Sequence, residues 1–257
     1  MKRTSLLLLS TLLFISTLTF AQEKDEDEPL PPPKRSGTTK IGGAAGFTQG
    51  LLFLNMDPIN EIMRRENLAE FSNNGLVMFG GQGYAYVMFV PNLRIGYMGM
   101  SGHMLSKTLA LSSNATREVE LSVGYSGLSL DYTIPLVPRL DLTVGVLFGG
   151  GSMDLKFTRS YGMGQEWLRT WDDFGFSNPA GEYQGKLTGS FFVYQPSVNF
   201  EFSLLRWVGL RAGLTYLGMS GSDWKRDQKY DVYGVPDNVS GKGWMLHSGI
   251  FVGTFVF

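Results

Sequence analysis

The chain has 257 residues, no cysteine and a formal net charge of -1. These facts exclude a disulfide framework, a thiolate metal site and a lipoprotein acylated on cysteine, and they offer no clustered basic face for nucleic acid. Glycine reaches 33 residues and aromatic side chains 13% of the chain, against a usual glycine share of roughly 7%. Beyond the N-terminal segment no window is apolar enough for a spanning helix, so a membrane protein of this composition would have to cross with strands.

Lys2 and Arg3 precede an apolar run from Leu6 to Phe20 that closes on Thr19-Phe20-Ala21, small residues flanking a bulky one. Residues 1–21 therefore read as a cleaved signal peptide for export; a membrane anchor competes less well because Ser10, Thr11, Ser16 and Thr17 interrupt the run. Residues 22–39 are an acidic and Pro-rich linker, in which charge repulsion and Pro31-Pro32-Pro33 both oppose packing. Residues 40–257 have the length of one domain.

From Lys40 onward the dominant pattern is period-2 alternation, which sends successive side chains to opposite faces of a sheet. The first strand is expected over 40–53, followed by a long connection in which Asp57 can cap a short helix and Pro58 suits its first position. On that helix Ile59, Ile62, Met63 and Glu66 recur at helical spacing, so one face can cover the mouth of a barrel. Further strands are expected over 76–90, 93–104, 117–134 and 140–158. In the fourth the apolar phase runs Val119, Leu121, Val123, Tyr125 and then Leu128, Leu130, Tyr132, Ile134; in the fifth it slips across Gly149-Gly150-Gly151. Paired bulges would produce such slips, as would strands that leave the lipid at that height.

The sixth strand alternates Tyr194, Pro196, Val198, Phe200 and Phe202 against Gln195, Ser197, Asn199, Glu201 and Ser203; the seventh sets Val208, Leu210, Ala212, Leu214 and Tyr216 against Gly209, Arg211, Gly213 and Thr215. The eighth, 243–257, is apolar on both sides, which a lumen filled by side chains would explain. Connections alternate: short at Pro91-Asn92, at Pro135 to Arg139 and at Leu205-Arg206-Trp207, long at 54–75, 105–116, 159–186 and 219–242. That rhythm predicts an all-β fold, an eight-stranded antiparallel transmembrane β-barrel with one short helix in its first long loop.

The chain ends Gly-Ile-Phe-Val-Gly-Thr-Phe-Val-Phe, with Phe251, Phe255 and Phe257 on one face. Together with the signal peptide, linker and eight alternating strands, this resembles the small bacterial outer-membrane barrels of the OmpA and OmpX type. The resemblance implies residence in the bacterial outer membrane. It also implies that Phe257 is part of the signal read by the outer-membrane assembly machinery.

An eight-stranded barrel has an interior just wide enough for side chains. If the polar faces point inward, the lumen receives Arg94, Glu118, Glu120, Asn199, Glu201 and Arg211, a mixed-sign cluster able to close it as an ionic plug. The two histidines, His103 and His247, raise the question of a lipid-modifying enzyme, but His247 and its neighbour Ser248 would face opposite sides of a strand. No catalytic set, metal site or cofactor site follows from these residues. Trp167, Trp171, Phe174 and Phe176 gather in the third long loop and Trp224 in the fourth, where aromatics suit either binding or a membrane-interface girdle. The segment from Asp223 to Asp227 is charged in both signs and is expected to be solvated.

The expected partners are the lipid bilayer and lipopolysaccharide-type lipids, with no nucleic acid; oligomeric state is left open. The residues favour a non-enzymatic surface-binding or envelope-integrity role, with a lipid-modifying enzyme and a narrow channel as alternatives.

Overall fold

The computed structural model describes residues 42–110, 115–160, 183–236, 239 and 241–254. Its elements in chain order are β1 (Gly43–Leu54), α1 (Asp57–Arg65), β2 (Leu76–Tyr86), β3 (Leu93–Ala110), β4 (Ala115–Val137), β5 (Leu140–Ser160), β6 (Tyr183–Ser203), β7 (Val208–Arg226), β8 (Tyr230–Asp231) and β9 (Gly243–Gly253). All strand pairings are antiparallel. Strands β1 to β7 pair in sequence, and β9 closes the ring by pairing with both β7 and β1, while the two-residue β8 adds to the end of β7. The result is a closed eight-stranded barrel, an arrangement that leaves its ring strands no free edge.

At one end the connections are tight, and residues with positive φ stand in two of them, Asn92 (φ 62) and Arg139 (φ 70). Asparagine tolerates that conformation, which suits the β2–β3 turn. At the other end several strands run on where loops were expected. β3 reaches Ala110 and β4 starts at Ala115, so most of the expected 105–116 loop is ladder; β7 continues to Arg226 and absorbs the first residues of the expected 219–242 loop. Near its end β7 carries a bulge, where the register with β6 shifts between Ser190 and Phe192, beside Gly221 at φ +67.

The phase slips in β4 and β5 have no bulge behind them. The β4–β5 register runs unbroken from Thr116↔Ser160 to Pro135↔Asp141, past Ser126↔Gly150, and its one irregularity lies at the Pro135/Val137 turn. Odd-numbered side chains of β4 point inward throughout: Val119, Leu121, Val123 and Tyr125 are buried, and so are Ser129, Asp131 and Thr133. The chemistry changes while the backbone does not. Toward the tight turns the exterior is apolar (Leu128, Leu130, Tyr132, Val144, Val198, Phe200) and the lumen polar. Toward the far end the lumen is apolar (Leu52, Met78, Met100, Leu121, Met153, Val193, Leu217, Met219, Met245), while the exterior of β4 to β6 carries Ser122, Asp154, Lys186 and Thr188.

The changeover falls at the height of Ser126-Gly127 and Gly149 to Gly151. Just to its apolar side the exterior displays aromatic pairs, Phe47 stacked on Phe79 at 6.1 Å and Phe148 on Phe192 at 6.3 Å. Aromatic rings in a girdle at such a boundary match the edge of a hydrocarbon layer. We expect Leu130→Arg, on the apolar belt, to cost about 2–4 kcal/mol. Ser122→Arg, on the same strand and also outward, should stay within about 0.5 kcal/mol. Urea titrations of the barrel refolded in lipid vesicles would show two equal losses if the changeover were not the edge of the belt.

Candidate functional site: a sealed inner lumen and an apolar outer chamber

The polar half of the lumen is organised around Glu201 on β6, which is 2% exposed. Its carboxylate accepts from Arg94 Nη1 at 3.1 Å to each oxygen, from Arg211 Nε at 3.1 Å and Nη2 at 2.6 Å, and from the Tyr84 hydroxyl at 2.9 Å. The arginines arrive from different strands, β3 and β7, and each has a further partner. Arg94 Nη2 donates to Thr143 Oγ1 at 2.5 Å and Arg211 Nη1 to Gln82 Oε1 at 2.7 Å. Their flat faces are also occupied: the Arg94 guanidinium lies 4.1 Å from the centroid of the Tyr84 ring, and that of Arg211 lies 4.3 Å from the Phe251 ring and 5.1 Å from Tyr84. Cation–π contact in a desolvated place adds to charge pairing.

A second carboxylate completes the charge balance. Asp131 stands directly across the β3–β4 ladder from Arg94, is 3% exposed and accepts from Ser129 Oγ at 3.3 Å. It fits because its neighbour on β5 is Gly145, where a Cβ would collide with the carboxylate; Gly213 clears space for Asn199 in the same way. Two buried arginines thus face two buried carboxylates. Above this layer the free space bounded by Gln82, Met98, Gln195, Asn199 and His247 is only about 20 Å³, roughly the volume needed for one water.

Arg94, Glu201, Arg211 and Asn199 therefore meet in the lumen. Glu118 and Glu120 do not. Both lie on the even-numbered, outward side of β4, where Glu118 pairs with Lys107 at 2.8 Å and Glu120 stands across the ladder from Lys156. Assigning the polar face of β4 to the lumen along its whole length places them wrongly, because inner and outer chemistry exchange at Ser126-Gly127. Tyr84, Gln82, Thr143, Asp131 and Phe251 were missed as members of the cluster. Asp131 was legible, as the polar residue between the outward Leu130 and Tyr132. Tyr84 and Phe251 carry no such sign, because an inward aromatic reads like an outward one.

Trp224 is the second correction. It was placed on a solvated loop, but β7 extends through it and the bulge at Gly221 turns it inward. There it is 5% exposed and meets Phe191 edge to face at 5.9 Å. Trp167, Trp171, Phe174, Phe176 and Phe257 lie outside the described residues. His247 is buried in the lumen, and Ser248 lies on the other face of β9, where its hydroxyl sits 3.5 Å from Gln49 Nε2. His103 points outward from β3 and is exposed.

The outer chamber is capped by α1. Ile59 and Met63 are buried against the barrel with Met56 and Phe71, while Ile62 and Glu66 sit at the rim. The helix begins one residue earlier than a capping Asp57 would have it. Met56 holds the cap position without a side-chain bond, and Asn55 Oδ1 receives the Asp57 N–H at 3.1 Å. Asn60 ties the following loop down, donating to Phe71 O at 3.1 Å and accepting from Phe71 N at 2.8 Å. From the barrel wall Arg117 donates to the carbonyls of Glu66 and Asn67 at 3.2 and 3.0 Å, placing a cation at the helix C-terminus. Between α1, the upper wall, residues 232–236 and Val239 lies a cavity of about 600 Å³.

Closure, an even number of ring strands and an apolar exterior belt around a polar lumen define a transmembrane β-barrel. No protein-family model matches the chain, and no curated protein matches it. Among solved structures, it is similar to the outer membrane protein OprG from Pseudomonas aeruginosa, with 9% identity over 86% of this chain and 99% of that one and a TM-score of 0.46. It is also similar to Ail, the attachment invasion locus protein of Yersinia pestis, in complex with a heparin analogue, with 9% identity over 84% and 99% and a TM-score of 0.40. The outer membrane protease OmpT from Escherichia coli matches with 13% identity over 85% and 98% and a TM-score of 0.31.

Removing one partner from a buried ion cluster leaves the others unpaired. Glu201→Leu is expected to destabilise the barrel by about 3–5 kcal/mol. Glu118→Gln, at an outward ion pair, should cost no more than about 1 kcal/mol. Equilibrium unfolding of the two variants beside the parent chain checks the ranking, and a reversed order would remove Glu201 from its central place.

Proposed function

We propose that this chain is a bacterial outer-membrane barrel, exported by its N-terminal apolar segment, whose lumen is permanently sealed and whose outer end is the working part. The observation that carries the reading is the Arg94–Glu201–Arg211 cluster. Two guanidinium groups, from β3 and β7, bridge one carboxylate across a lumen already narrowed by Tyr84 and Phe251. Every one of the three charged side chains has two or more polar or aromatic partners, so moving any of them out of an ion's path would strand a charge in a dry interior.

A sealed lumen favours a binding or envelope-integrity role over conduction. The lipid-modifying alternative gains nothing from the histidines, since His247 and Ser248 face opposite sides of the wall and His103 points outward from β3. At the outer end the design is different: a helix is held by directed hydrogen bonds over an apolar chamber, the kind of built surface that recognises a ligand or partner. The apolar belt supports contact with the lipid bilayer, and lipopolysaccharide-type lipids and the outer-membrane assembly machinery are the partners that go with this reading.

Two measurements test this. Cell fractionation with heat-modifiable gel migration should find the chain in the outer membrane with a band that shifts on boiling, whereas a periplasmic chain without a shift overturns the location. In planar bilayers the purified protein should give no stable conductance steps; steady openings of the unmodified chain would favour the channel reading instead.

A further inference from the structure

The cavity at the outer end has a chemistry of its own. Its volume of about 600 Å³ sits within the roughly 300–1,000 Å³ usual for small-molecule sites. Ile59, Met63, Val119, Leu155, Trp224 and Val239 supply an apolar and largely aliphatic wall. At the rim stand Arg117 and Arg159 with Glu66 and Glu118, two charges of each sign, a balance that selects neither a strong anion nor a strong cation. Two polar atoms of the lining residues are buried without a protein partner, Trp224 Nε1 and Arg117 Nε. Both are N–H donors, and a buried donor left without an acceptor is costly. The Trp224 side chain is itself 5% exposed.

We propose that this chamber binds a single-chain amphiphile, with its aliphatic tail against the Val119, Leu155 and Met63 wall and an oxygen acceptor of its head group met by the donors of Trp224 and Arg117. A tail rather than a rigid ring is argued from the branched aliphatic and methionine lining, which adapts to a flexible chain. A carboxylate and an acyl ester both provide the acceptor, so a free fatty acid and a lysolipid are two sources of one ligand chemistry. The proposal goes beyond the sealing of the inner lumen, which needs no ligand and is tested separately by conductance.

The test uses the full barrel in lipid nanodiscs and two radiolabelled probes, dodecanoate and dodecanoyl lysophosphatidylcholine, with empty nanodiscs as background. Saturable retention of either probe at one per barrel is the expected result, and the probe retained identifies the source. Leu155→Phe, which fills the chamber, should weaken binding by about tenfold. Trp224→Phe, which keeps the bulk and removes the donor, should weaken it by about two- to tenfold. Should Leu155→Phe fail to fold, Ile62→Phe at the rim offers a second filling variant at a side chain already 45% exposed. Retention of neither probe above background overturns the proposal, and so does retention that the filling variants leave unchanged.

Discussion

Glu201 is the point at which the barrel is tied across its own interior. Strand ladders join each strand to its two neighbours, whereas the bonds from Arg94 and Arg211 to one carboxylate join β3, β6 and β7, and Tyr84 adds β2. In water such pairs contribute little, but in a lumen with almost no free volume each charge depends on the others, because none can return to solvent. Much else answers to that requirement. Gly145 and Gly213 are bare so that Asp131 and Asn199 fit, Thr143 and Gln82 each take one further guanidinium donor, and Phe251 covers the face of Arg211.

The barrel is amphipathic in two opposite senses along its length. Where the exterior is apolar the interior must hold the polar residues, and it holds them as a cluster in which two arginines face two carboxylates. Beyond Ser126-Gly127 the exterior of β4 to β6 turns polar and the interior becomes an ordinary hydrophobic core, built from methionine, leucine and valine. The strands can therefore continue well past the belt without a change of hydrogen bonding. This explains why two connections differ so much from a loop reading, and why the upper lumen needs a lid of its own. Helix α1 provides it, burying Ile59 and Met63 and held at its C-terminal end by Arg117.

One wall thus serves two solvents, and the two interiors have different consequences. The inner half is closed by charges that cannot move cheaply. The outer half is closed by apolar contacts beneath a short helix, with room left over. The asymmetry lies in the packing, which leaves a cavity of about 600 Å³ in the outer half.

Alternation in β6 and β7 was enough to identify the wall, the short turns and the polar residues Glu201 and Arg211, because side-chain direction in a strand has a period of two and the belt rewards it on every second residue. The barrel class and strand count were legible for the same reason. The slips at Ser126-Gly127 and Gly149 to Gly151 were visible too, but their meaning was not: a bulge and a change of surroundings leave the same trace in the residues. Only the continuous β4–β5 register decided between them, and that decision sent Glu118 and Glu120 outside and Val119 and Leu121 inside. Likewise Trp224 needed the bulge at Gly221 to face the chamber, and Tyr84 on β2 needed the closed ring to meet Arg211 on β7. Period and composition are local properties that a chain states residue by residue. Which polar groups converge depends on closure, and closure exists only in three dimensions.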